Sequence, residues 1–161
     1  MNKRLKFLII FYSIFLFLSF QVDFKRYCNE RFKYCIEYPA NFIGSQESAN
    51  GDGQTFVSFD KKATITIYGF LVQENNNFKD NLDIRYYNIL KNKNVKYKVK
   101  TKDFFIVSGF ENDGKIFYQK SKKSKDYYTP ENEIVKTFEI VYPKSQTKIY
   151  SEYCKKISKS L

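Results

Sequence analysis

The chain contains no histidine among its 161 residues. This absence removes the commonest general base, the Ser-His and Cys-His pairs that activate nucleophiles, and most zinc and copper sites. Its six glycines never reach the spacing of a phosphate-binding loop. An enzyme would therefore have to use carboxylates, tyrosine or lysine. We expect a protein that is not an enzyme, with no catalytic residue, no metal ligand and no cofactor.

What is present indicates a folded protein. Hydrophobic residues make up 43% of the chain and aromatic residues 19%, which is too much apolar bulk for a disordered chain. The length fits one domain, which we place at residues 21–161. The formal net charge of +11 favours an anionic partner through long-range attraction, although a lysine-rich surface that only faces water is the favoured interpretation.

The first twenty residues read MNKRLKFLIIFYSIFLFLSF, a basic stretch followed by an apolar one from Phe7 to Phe20. This order is typical of a secretory signal, and the apolar part is shorter than the roughly twenty residues of a membrane-spanning helix. We predict a signal peptide over residues 1–20 and a periplasmic or secreted domain. Since no clear cleavage motif follows, retention of the segment as a membrane anchor is the alternative.

Cys28 and Cys35 lie on either side of a short polar stretch. Two thiolates without histidine make an incomplete zinc site, and their spacing does not match the redox motif C-x-x-C. In an exported chain the default is a structural disulfide, which requires the backbone to turn between the two residues. We predict this bond, on the outer face or at the edge of a strand. Cys154 is predicted to be a buried small side chain, with pairing to another cysteine as the alternative.

Periodicity predicts the fold class. Residues that alternate between apolar and polar predict strands in 31–39, 55–60, 63–71, 95–101, 104–110, 115–121 and 133–143. Helical spacing predicts amphipathic helices over 78–94 and 144–161. Strands, helix, strands and helix in this order predict an α+β domain, in which an antiparallel sheet is flanked by two amphipathic helices.

The segment from Tyr27 to Gly69 contains a series of short motifs that resemble those of known proteins. Its Tyr-Pro pair, Asn-Gly-Asp-Gly loop, Phe-x-Ser-x-Asp hairpin and final Tyr-Gly resemble small exported bacterial proteins of unassigned function. Those proteins are in turn similar to the PsbP-like group, whose fold is an α/β/α sandwich around an antiparallel sheet. The resemblance implies that fold and export. It implies no catalytic residues.

Two polar features are candidates for recognition. Lysines interleaved with aromatic residues suit an anionic partner, or they discourage sheet-to-sheet aggregation without any partner. The candidate surface consists of Lys96, Lys98, Lys100, Lys120, Lys122 and Lys123. The loop from Glu47 to Gln54 offers oxygen atoms that suit calcium, but its spacing is not that of a calcium loop, and a tight turn is the favoured interpretation.

The leading hypothesis is a non-catalytic binding module of the bacterial envelope, for example an immunity-type protein. Its partner would be an unknown protein or an anionic envelope component. Export argues against nucleic acid, and a membrane contact is expected only if the leader is uncleaved. The alternatives are an anchored structural or assembly factor for an envelope complex and, third, a carboxylate-dependent enzyme.

Overall fold

A computed structural model of the chain describes residues 22–74 and 78–161. The leader predicted over residues 1–20 lies outside the described residues. The strands are β1 (Phe24–Asn29), β2 (Tyr34–Pro39), β3 (Phe42–Gly44), β4 (Gly53–Ser58), β5 (Thr64–Leu71), β6 (Gln73–Glu74), β7 (Lys79–Asp80), β8 (Asn94–Lys100), β9 (Phe104–Phe110), β10 (Ile116–Lys125) and β11 (Glu133–Tyr142). The α-helices are α1 (Leu82–Asn92) and α2 (Thr147–Ser160), and a short 3-10 turn (Lys144–Gln146) precedes α2.

Seven strands form one antiparallel sheet in the order β3-β4-β5-β11-β10-β9-β8. Strand β11 comes last along the chain but lies in the middle of the sheet, between β5 and β10. Its inner position explains its sequence, since Ile134 and Val135 point to opposite faces and both are fully buried. Strands β1 and β2 form a separate hairpin, and β6 pairs only with β7.

The two faces of the sheet carry different layers. Ile134 and Phe138 of β11 belong to a core cluster that includes the β1–β2 hairpin and helix α2. Val135, their neighbour on the other face, belongs to a second cluster that includes helix α1. Because side chains alternate along a strand, the two clusters lie on opposite faces. The structure confirms the α+β class with a large antiparallel sheet.

Helix α1 is shorter than the predicted 78–94. Its first residue is Leu82, because the side chain of Asn81 accepts a hydrogen bond from the amide of Ile84 and so caps the helix. The prediction that Phe78 belongs to the apolar stripe of the helix is therefore wrong. Leu82 and Tyr86 of that stripe are buried.

Strand β8 contains a β-bulge between Val95 and Tyr97. The bulge breaks the predicted alternation, since Val95 packs in the cluster of α1 whereas Tyr97 points to the opposite face and is 54% exposed. Val95, Tyr97 and Val99 consequently do not share a buried face. Within residues 22–74 and 78–161, no helix has both the length and the apolar character needed to span a membrane.

Candidate functional site

Cys28 and Cys35 form the disulfide that the sequence predicts. The two residues face each other in the β1–β2 register, with 4.0 Å between their Cα atoms, and both are exposed. The other face of the hairpin is apolar, and the ring of Phe32 at its turn lies against Gly69 of β5. The bond therefore closes the outer side of a hairpin whose inner side packs on the core, which is a structural role.

The loop from Glu47 to Gln54 uses its polar groups to hold this hairpin. Glu47 accepts a 2.6 Å hydrogen bond from the hydroxyl of Tyr27, and Asp52 forms an ion pair with Arg31. The side chain of Asn29 donates to the carbonyl of Gly51 at 2.8 Å. Among the described residues, no group of three or more acidic, cysteine or histidine side chains is arranged to hold a metal ion. These contacts support the interpretation of the loop as a structural turn.

The thiol of Cys154 is buried among the aromatic residues of the larger cluster and takes part in no disulfide. Burial raises its pKa from 9.0 to about 12. The group is therefore a neutral thiol at physiological pH, and a neutral thiol is a poor nucleophile.

The six candidate lysines divide between the two faces of the sheet. Lys98 and Lys100 lie opposite Val107 and Phe105, so they point to the face of α1, and Lys96 at the bulge lines the same shallow pocket as Lys98. Lys123, opposite Val135, also points to that face. Two of these lysines have carboxylate partners at 2.7 Å and 3.3 Å, namely Asp83 for Lys100 and Glu133 for Lys123.

Lys120 and Lys122 point to the face of α2. Their partners across the strands are Ile106 and Phe104 of β9, and both lysines reach the end of the C-terminal helix. The Nζ of Lys120 donates to the carbonyl of Ser158 at 2.6 Å, and that of Lys122 donates to the carbonyl of Leu161 at 3.4 Å. The structure thus brings Lys96, Lys98 and Lys100 together and separates them from Lys120 and Lys122.

A further pocket of this face lies beside α1. Its lining includes the ring of Tyr68, the amide of Gln119 and the carboxylate of Asp80. Asp80 is held in an ion pair by Arg85, and Lys93 at the opposite wall is held by Glu111 and Glu139 at 2.7 Å and 2.9 Å. Of the charged groups that line this pocket, Asp80, Arg85 and Lys93 are therefore used in internal pairs.

Each face of the sheet has one half that its helix leaves partly exposed. On the α2 face the helix packs on β10 and β11, and the side chains of β8 and β9 beyond it stay partly exposed. We call this half the apolar face; it consists of Tyr97, Val99, Phe104, Ile106 and Phe110, with Ser108 as the one polar side chain that β9 places between them. On the α1 face the partly exposed half lies on β4 and β5. We call it the threonine face; it consists of Thr55, Val57, Thr64 and Thr66, with Ile43 of the edge strand β3 beside Val57.

The two halves differ in what they present to solvent. The threonine face offers hydroxyl groups, among them those of Thr55 and Thr66, which lie 3.4 Å apart, beside Val57 and Ile43, which is 63% exposed. The apolar face offers aromatic and aliphatic side chains, with Tyr97 54% exposed and Val99 37% exposed. An exposed apolar patch with a polar rim is typical of an interaction site. The sequence interpretation missed it, although 104–110 is almost continuously apolar, as expected of a strand that has no solvent-adapted face.

Three lysines, Lys120, Lys122 and Lys144, form the rim of the apolar face. Lys120 lies over the ring of Phe104 and Lys144 over that of Phe110, each at 5.7 Å from the ring centre. Within the described part of the chain, none of the three is ion-paired with a carboxylate side chain. Burial lowers the pKa of Lys120, and the positive charge of Lys122 lowers it further. The rim therefore carries positive charge that no carboxylate side chain of the described residues neutralises.

Comparison with known proteins gives a likeness of fold. No protein-family model matches the chain, and no curated protein matches it. Among solved structures, the chain is similar to the solution structure of cyanobacterial PsbP (CyanoP) from Synechocystis sp. PCC 6803. The TM-score is 0.48 at 10% sequence identity, and the match covers 89% of this chain and 94% of that one. A likeness at this level carries no argument about function.

Proposed function

We propose that the protein is a non-catalytic binding module of the bacterial envelope, periplasmic or secreted, and that it binds its partner through the apolar face. The observation that carries the proposal is the apolar face itself, where five aromatic and aliphatic side chains of two adjacent strands lie beside a rim of three lysines. Grouped apolar side chains with a charged rim, among them Tyr97 and Val99 at the surface, are typical of an interaction site.

The periplasmic or secreted location in this proposal rests on two features. The leader pattern of residues 1–20 is typical of export, and a disulfide persists in an oxidising compartment. The finer fold assignment, a PsbP-like sandwich, belongs to the same proposal. It is supported by the packing of α1 and α2 against opposite faces of the sheet.

A second candidate is an anchored assembly factor for an envelope complex, which differs in keeping residues 1–20. Intact mass of the protein recovered from the envelope distinguishes the two candidates. A mass lacking the leader favours the released module, and a mass that includes it favours the anchored factor.

Photo-crosslinking in the host's own cells tests the binding role. We would place p-benzoyl-phenylalanine at Tyr97 on the apolar face or, as a matched control, at Tyr87 on α1, which is 61% exposed. Irradiation is expected to give a discrete adduct from position 97 that is absent from position 87. The double variant Val99→Ser/Ile106→Ser should abolish the adduct, whereas Thr55→Ser/Thr66→Ser on the threonine face should leave it unchanged. Equal labelling from the two tyrosine positions, or none from either, would overturn the proposal.

A further inference from the structure

We propose that the partner presents an acidic amphipathic helix, which lies on the apolar face alongside α2. This inference rests on the proposed function and adds the chemistry of the partner. It is carried by the shape of the apolar face, by the charge of its rim and by the position of α2 next to it.

The apolar face lies one layer lower than helix α2, which borders it on one side; we call this difference in height the step. Helix α2 stands one layer above the sheet, and it borders the face where Ser158 contacts Tyr118 and Lys120 of β10. A packed layer is about 10 Å thick, so a flat surface approaching this side meets α2 before it meets Val99. The step is therefore suited to an element that can lie beside α2.

The dimensions of the step match one helix. Strands β8 and β9 extend beyond β10 by two strand spacings, which is about 10 Å and equals the diameter of an α-helix. Strand β9 has 7 residues and so runs for roughly 20 Å, the length of about 14 helical residues. A partner helix of about four turns would cover the apolar face and complete the layer that α2 begins.

The positive charge of the rim favours a partner helix with negative charge. Lys122 and Lys144 flank the apolar rows at either end of β9, near Phe104 and Phe110, and neither has a carboxylate partner among the described residues. Carboxylates along the polar edge of an incoming helix would meet these ammonium groups. Complementary charge of this kind speeds association and sets the orientation of the partner.

The same charge disfavours a second copy of the chain as the occupant. A symmetric contact between two apolar faces would bring two sets of Lys120, Lys122 and Lys144 together in a protein of net charge +11. An extra strand at the open edge of β8 would extend the sheet and leave its face uncovered. A flat lipid bilayer does not reach the apolar face, because helix α2 stands one layer above it.

The test has two stages. The adduct formed at Tyr97 is digested, and the crosslinked segment is sequenced by mass spectrometry; we expect an amphipathic helical segment with net negative charge. A synthetic peptide of that segment is then titrated against the exported protein. The double variant Lys122→Ser/Lys144→Ser is expected to weaken binding about tenfold, at two- to fivefold for each exposed lysine. Lys96→Ser/Lys98→Ser removes the same charge from the opposite face and should change the affinity less than twofold.

The outcomes separate this inference from the proposed function. Failure to form any adduct at position 97 overturns both. If the adduct is a lipid, the chain's own leader, a second copy of the chain, or a segment without carboxylates, the acidic helix is wrong while the docking role of the apolar face stands. Equal losses of affinity in the two lysine double variants would also overturn the acidic helix, because the effect would then follow net charge alone.

Discussion

The ammonium group of Lys120 on β10 donates a 2.6 Å hydrogen bond to the backbone carbonyl of Ser158, in the last turn of helix α2. The last carbonyls of a helix lack intrahelical partners and carry the negative end of its dipole, so a cation stabilises them. Lys122, two residues further along the same strand, makes only a 3.4 Å contact with Leu161. Two adjacent members of the predicted lysine surface thus have different roles, one in stability and one in charge.

Substitution of these lysines by methionine should distinguish the roles. Lys120→Met is expected to lower the free energy of unfolding by about 1 kcal/mol, because the helix end loses a charged donor. Lys122→Met should change it by less than about 0.5 kcal/mol, since its amino group is exposed. Urea denaturation of both variants measures the difference. Equal losses in the two variants would contradict the assignment of Lys120 as the helix cap.

Reduction of the disulfide should destabilise the hairpin. Cys28 and Cys35 close a loop with a sequence separation of 7, and a loop of this size contributes about 2.5 kcal/mol in the chain-entropy model. We therefore expect dithiothreitol, which can reach these exposed residues, to lower the free energy of unfolding by about 2 kcal/mol. The double variant Cys28→Ser/Cys35→Ser should show the lower value already, and its stability should not respond to the reductant. A reductant effect that persists in this variant would place the loss elsewhere.

The contact between Phe32 and Gly69 should prevent β5 from accommodating a larger side chain at position 69. A Cβ atom added at Gly69 would lie 2.6 Å from Cδ2 of Phe32, a clash within a buried cluster. Gly69→Ala is expected to cost about 2 kcal/mol, the usual cost of overpacking a core. The cost should fall in a Phe32→Leu background, where the ring is gone, and a double-mutant cycle measures this coupling.

Gly44→Ala is the control for this cycle. The nearest atom to a Cβ at Gly44 is Nε2 of Gln54, which can move only by giving up its hydrogen bond to the carbonyl of Ser45, so the substitution should cost about 1 kcal/mol, less than Gly69→Ala. If Gly69→Ala is as mild as Gly44→Ala, the hairpin is not seated on the sheet through Phe32.

Alkaline pH should weaken the fold through the buried thiol of Cys154. Its pKa is 9.0 in the unfolded chain and about 12 in the folded protein, because burial disfavours the thiolate. The folded state therefore binds more protons between these values, and stability falls as pH rises. The contribution is complete below pH 9.0 and is lost progressively towards pH 12. Tyr142, with a pKa raised to about 12 by burial, acts in the same direction from pH 10.

Comparison with Cys154→Ala isolates the thiol. The free energy of unfolding of the wild type should fall more steeply with pH than that of the variant, by about 1 kcal/mol per pH unit between pH 9.5 and 10.5. The slope is the readout, so any uniform loss from the missing side chain does not matter. Parallel slopes in the two proteins would show that Cys154 ionises equally in both states.

The sequence predictions were most accurate where residue identity or the pattern of neighbouring residues determines the structure. The bond between Cys28 and Cys35 followed from their spacing and the leader pattern, and the strand at 133–143 followed from its pattern of apolar and polar residues. The start of α1 was missed, because the helical spacing of apolar residues extends back to Phe78, on the N-terminal side of the Asn81 cap where the helix begins. Val95 was placed on the wrong face because a bulge leaves no clear mark in the alternation of 95–101.

The sequence by itself determined the α+β class, the hairpin disulfide and the absence of histidine-based chemistry, because each depends on residue identity or short-range spacing. Only the tertiary structure decided which lysines share a face. Lys100 and Lys120 are both lysines of predicted strands, yet the register between β8, β9 and β10 points them to opposite sides of the sheet. The apolar face was decided in the same way, since the position of α2 over β10 and β11 is a long-range contact that leaves Tyr97 exposed.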